Sequence, residues 1–108
     1  MKALVALTLM TAVLLSVTSL KAADVNAGKD LYAKKCASCH GAAGEGKDAI
    51  AKMFKVEMKP LSSKDVQGKS DAEIKKNIEE GMGKMKAVQG VDSKAADDIV
   101  AYVRTLKK

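Results

Sequence analysis

The sequence has no tryptophan, one proline and three aromatic residues, Tyr32, Phe54 and Tyr102. A small domain with so few large apolar side chains cannot close a core alone, and usually needs a disulfide, a metal or a cofactor as a staple. Alternating runs of β-branched residues are also missing, which argues against a sheet. No internal repeat or low-complexity tract appears in the 108 residues, enough for one small domain. Aromatic residues do not interleave with the many lysines, so nucleic-acid binding is not expected.

What is present begins with a leader. Lys2 is followed by an uncharged stretch from Ala3 to Leu20, then by Ala22 and Ala23. A charged start, an apolar centre and small residues at the cut are the order of a secretory signal peptide. The reading is a leader over residues 1–22, cut after Ala22 or Ala23, and a single domain over residues 23–108. The rival is a retained anchor, because Ala3 to Leu20 reaches the lower limit for a spanning helix. Thr18 and Ser19 favour cleavage, since they sit where a polar region precedes the cut. The exported domain then carries 17 bases against 13 acids, a net charge of +4.

Helical signals dominate that domain. Asp24 or Asn26 can cap a first helix with Gly28, Leu31, Tyr32 and Cys36 on one face. Glycines from Gly41 to Gly46 end it. Asp48 to Val56 forms a short helix with Ile50 and Phe54 one turn apart, and Met53 is read as core filler. The segment around Pro60 is a loop. Ser70 and Glu73 make a capping box for a helix that buries Ile74 and Ile78 and stops at Gly81. A last helix starts at Asp92 or Ser93 with Ala95, Ile99, Tyr102, Val103 and Leu106 on one face. Its acids lie early and its bases late, as the helix dipole prefers. The expectation is an all-α chain of three or four short helices with long loops, which need something to wrap around.

Both cysteines and the one histidine fall within Cys36-Ala37-Ser38-Cys39-His40. A thioredoxin-type disulfide would sit at a helix start in a βαβ setting, and no strand precedes this motif. Structural zinc wants four ligands, and the chain holds three Cys and His residues in all. A catalytic Cys–His pair lacks a positioned base and an orienting partner. C-x-x-C-H is the signature of covalent c-type haem attachment. Cys36 and Cys39, three positions apart, anchor one edge of the macrocycle through thioethers, and His40 ligates the iron. Haem also supplies the missing staple and apolar mass.

The chain has no second histidine, so a second axial ligand from within it is a methionine, the common partner of histidine in electron-transfer haem. Met58 lies near Pro60 and can pack on the haem edge. Met82 and Met85 lie in a glycine-flanked loop between the last two helices. Met85 is the first choice and Met82 the second.

These residues resemble the small class I c-type cytochromes of bacteria. Gly28 and Tyr32 match the family's glycine and aromatic on the first helix, and Cys36, Cys39 and His40 its haem motif. The segment IEEGMGKMKAV is similar to the family's ligand loop, which implies Met85. The segment DDIVAYVRTLKK is similar to its last helix, with Tyr102 as the aromatic. Two departures stand out: Lys86 follows Met85 where the family often has proline, and no proline follows the haem motif within GAAGEGKDAIAKMF to offer a carbonyl to His40. The resemblance implies first and last helices that cross around one covalent haem.

A haem with both axial positions filled by His40 and Met85 has no open site for a substrate. The expectation is therefore a non-enzymatic one-electron carrier, periplasmic, monomeric and without stable membrane association once the leader is cut. The alternative is a haem-based gas sensor or binder with a displaceable methionine. Lys34, Lys35, Lys84 and Lys86 bracket the haem-contacting segments and suit acidic redox partners.

Overall fold

Asp24 caps the first helix of the described fold. Its carboxylate accepts hydrogen bonds from the backbone N–H groups of Asn26 and Ala27 at 2.9 and 3.1 Å, which satisfies donors left free at a helix start. The computed structural model describes residues 22–108; apart from Ala22, the expected leader lies outside the described residues. The helices are α1 Val25–Lys35, α2 Ala37–His40, α3 Asp48–Phe54, α4 Lys64–Gln67, α5 Asp71–Glu80 and α6 Ser93–Arg104. The all-α expectation holds, with six helical segments in place of three or four. Two of them, α2 and α4, are single turns of four residues. No helix among the described residues is long and apolar enough to cross a membrane.

The added segment α4 lies where a loop was expected. One turn is too short to show periodicity, and its only signal is Ser63, whose Oγ accepts from the Val66 N–H at 3.4 Å. Helix α5 forms half of the expected box. Ser70 Oγ accepts from the Glu73 N–H at 3.1 Å, while the Glu73 carboxylate turns to Lys69 at 3.6 Å.

Helices α1 and α5 both pack on α6. Gly28 sets the first crossing: a Cβ there would fall 1.9 Å from the carbonyl oxygen of Asp98, so only glycine admits this approach. Because α6 is covered from two sides, its buried stripe is wider than expected and shifted. Ala96, Ile99, Val100 and Val103 are buried, whereas Ala95 and Tyr102 are half-buried and Leu106 lies beyond the helix. Asp92 caps α6, its Oδ1 accepting from the Ala95 N–H at 2.8 Å, and Arg104 stands in the last turn; the other two acids, Asp97 and Asp98, lie near mid-helix. Asp98 is 5 % exposed, and its Oδ1 accepts from the Asp24 backbone N–H at 2.8 Å and from Lys94 Nζ. The Lys94 ammonium, with the Asp24 N–H behind it, holds this carboxyl below the usual aspartate range.

The core consists of Tyr32, Cys36, Ile74, Ile78, Ala96, Ile99, Val100 and Val103. Helices α2, α3 and α4 bury no residue. Met53, read as core filler, is instead 67 % exposed because α3 has no second layer to pack against.

Candidate cofactor site

Helix α1 ends at Lys35, and Cys36 leaves helical geometry with φ −119° while its N–H still bonds the Tyr32 carbonyl at 2.9 Å. The chain restarts at once as α2. The Cys36 carbonyl accepts from the N–H groups of Cys39 and His40 at 3.2 and 3.0 Å. Both thiols and the imidazole therefore leave a single turn, and the two thiols are unpaired.

That turn borders a cavity of about 1000 Å³, at the upper end of the range for ligand and cofactor pockets. Cys36, Cys39, His40, Met58, Met82 and Met85 all line it. So do Tyr32, Ile74, Ile78, Ile99 and Val103, which are most of the core. Ile50 and Phe54 of α3 also face it. The core is thus one wall of a hollow, and its apolar surface has no protein partner across the space.

Met82 and Met85 are brought in by a tight hairpin. Each donates its N–H to the other's carbonyl at 2.9 Å, with Gly83 and Lys84 at the tip. Gly83 has φ 56°, the conformation that glycine supplies at the first central position of such a turn. The hairpin pairing was not expected, since two bonds give no periodicity to read. Met85 is half-buried, while Met82 is 54 % exposed.

The chemistry of the wall suits a haem. Burial lowers the His40 pKa and favours the neutral imidazole, the form that ligates a metal. His40 Nδ1 is buried and has no hydrogen-bond partner. Burial, with the neighbouring Cys39 second, pushes the Cys36 thiol up to about 11 and keeps it protonated. Three chemistry-bearing side chains, three methionines and an apolar lining therefore share one space.

The cytochrome c family profile matches residues 25–107. The chain belongs to the cytochrome c family. Cytochrome c-554(547) of Halothiobacillus neapolitanus is 35 % identical over 94 residues, covering 80 % of this chain and all of that protein. Among solved structures, the c-type cytochrome KustC0563 superposes with a TM-score of 0.63 at 26 % identity, covering 75 % of this chain and 98 % of its own. Cytochrome cL from Hyphomicrobium denitrificans shares the fold, with a TM-score of 0.60 at 22 % identity, over 78 % of this chain and 48 % of that one. The chain is a small class I c-type cytochrome, an electron carrier with covalent haem c rather than an enzyme. It exchanges electrons with redox partners, and a periplasmic setting is typical of such cytochromes.

Sequence reasoning missed residues that frame the cavity from behind. Gln67 Nε2 donates to the carbonyls of Leu61 and Val103 at 2.8 and 3.0 Å. Arg104 donates to Asp71 and to the Gln67 carbonyl, both at 2.8 Å. These bonds tie the loop that carries Leu61 to α6. Arg104 showed only as a late base in a helix, because its partners lie more than thirty positions away.

Proposed function

We propose that Cys36 and Cys39 carry the two haem thioethers and that His40 and Met85 take the two axial positions. One observation carries the assignment: the C-x-x-C-H turn and the Met82–Met85 hairpin line the same cavity. Met85 is preferred to Met82 because its side chain is the more enclosed of the two. The haem iron supplies the one-electron couple. The chain's residues hold it, exclude water with the core wall, and leave no coordination place for a substrate. A methionine sulfur favours the reduced state relative to a second histidine.

Residues 1–22 act as an export leader under this reading, and the remaining domain works in the periplasm as a monomer. Its partners are acidic at the docking face. Lys34, Lys35, Lys84 and Lys86 all border the cavity, and all four are exposed. None of them has a carboxylate within ion-pair distance among the described residues, whereas Lys59 of the same rim lies against Asp65 and Lys69 pairs with Glu73. Unneutralised charge at the rim steers encounter with a negative surface.

The test is an absorption spectrum of the purified native protein, oxidised and reduced, followed by carbon monoxide. Covalent low-spin haem with a methionine–iron charge-transfer band, and no prompt change with carbon monoxide at neutral pH, is the expected result. A prompt change would favour the gas-binding alternative.

A further inference from the structure

The imidazole proposed as the iron ligand has one nitrogen without a hydrogen bond. His40 Nδ1 is buried and meets no partner, although a ligand histidine's second nitrogen ordinarily fixes the ring's orientation. In this chain the backbone around the ring is held instead. The His40 N–H bonds the Cys36 carbonyl at 3.0 Å, and the His40 carbonyl accepts from Gly46 N–H at 2.7 Å. The next carbonyl, that of Gly41, accepts from Gly44 N–H at 3.2 Å and from the Tyr32 hydroxyl at 2.6 Å.

Of these bonds, the one to Tyr32 alone is made by a side chain. Tyr32 is 2 % exposed, lines the cavity with Cys36, and packs its ring 5.1 Å from that of Tyr102. Phenylalanine could supply that packing. A hydroxyl in such a place is costly unless it is bonded, and its bond goes to the carbonyl of Gly41, the residue that follows His40. Burial pushes the phenol well above its ordinary range, so the group stays a donor. Gly41 has φ 87° and ψ 160°, outside the conformations that a side chain would allow. Its peptide plane therefore depends on the bonds it makes.

We propose that Tyr32 is a positioning residue for His40: through the Gly41 carbonyl its hydroxyl fixes the backbone of the residue that follows the ligand, and so the orientation of the imidazole toward the haem iron. The inference rests on the reading of His40 as the ligand.

The test compares Tyr32→Phe with Tyr102→Phe in the haem-loaded protein. The haem-methyl proton shifts of the oxidised form follow the plane of the axial imidazole. The expected result is a changed spread and order of these shifts in Tyr32→Phe and the native pattern in Tyr102→Phe, even where both variants melt earlier. A native pattern in Tyr32→Phe overturns the proposal. Should Tyr32→Phe fail to assemble, the unaltered reduced protein decides. Its Tyr32 hydroxyl proton is expected as a slowly exchanging resonance close to Gly41, and exchange at the solvent rate overturns the proposal. Failure of the His40 assignment is seen separately, as loss of His/Met spectral character in the unaltered protein before any variant is compared.

Discussion

The α1–α6 crossing and the cavity side of this cytochrome are built on different principles. At the crossing the chain supplies its own partners. Gly28 lets two backbones touch, Asp98 reaches back to the start of α1, and Ala96 and Val100 are buried away from the cavity. On the cavity side, α2, α3 and α4 bury nothing, and Phe54 and Met82 remain 41 % and 54 % exposed. Low aromatic content is no defect at the crossing, where small residues permit close approach. Around the cavity it leaves a hollow, which the haem is proposed to fill.

Variants on either side should separate these two principles. The largest effect is expected at the proposed distal ligand. Met85→Ala loses the methionine–iron charge-transfer band and gains carbon monoxide binding, while Met82→Ala keeps the band. Reversed behaviour of the two variants makes Met82 the ligand. Gly28→Ala acts on the other side. Its Cβ would overlap a backbone carbonyl that cannot rotate away, and overpacking of this kind costs about 1–3 kcal/mol or more. Denaturant unfolding should report that loss, while the charge-transfer band of the folded fraction stays native. A spectral change in this variant would mean that the crossing and the haem site are not separable.

Asp98→Asn is a smaller perturbation of the crossing. The amide can still accept from the Asp24 N–H but loses its charge, a difference of about 1 kcal/mol between charged and neutral hydrogen bonds. The native carboxyl titrates below its unfolded value. Its contribution is therefore complete above the unfolded aspartate pKa, about 3.9, and is lost as pH falls through the lower native value. Stability of the variant and of the unaltered protein should converge in that acid range. A gap that persists below it would assign the effect to packing. The smallest effect on stability is expected from Lys84→Gln with Lys86→Gln, within about 0.5 kcal/mol. The bimolecular electron-transfer rate with an acidic partner should nonetheless become less sensitive to salt. A native rate indifferent to salt would return these lysines to ordinary solvated surface.

The cavity side was the more legible part in sequence, because the C-x-x-C-H signature concentrates Cys36, Cys39 and His40 into five positions. Gly28 and Tyr32 were legible as a face of α1. The bond from Asp24 to Asp98 was not, since it joins residues 74 positions apart and a buried aspartate reads like a surface one. Gln67 and Arg104 were hidden for the same reason. Met53 misled because an apolar residue beside Phe54 looks like core, whereas α3 has no protein layer to bury it. Helices α2 and α4 are single turns and the Met82–Met85 hairpin rests on two bonds, too local to leave a period.

The central claim is that haem completes a core of which the chain builds one wall. The direct measurement is the backbone amide NMR spectrum of the haem-free variant Cys36→Ala with Cys39→Ala, set beside that of the haem-loaded protein. With the cavity unfilled, Ile74, Ile78, Ile99 and Val103 lose their partner across the space, and fixed tertiary structure should go with it. The predicted result is a collapsed amide dispersion, most complete from Gly41 through Val91, with residual helicity at α1 and α6. A well-dispersed spectrum like that of the haem-loaded protein would contradict the claim.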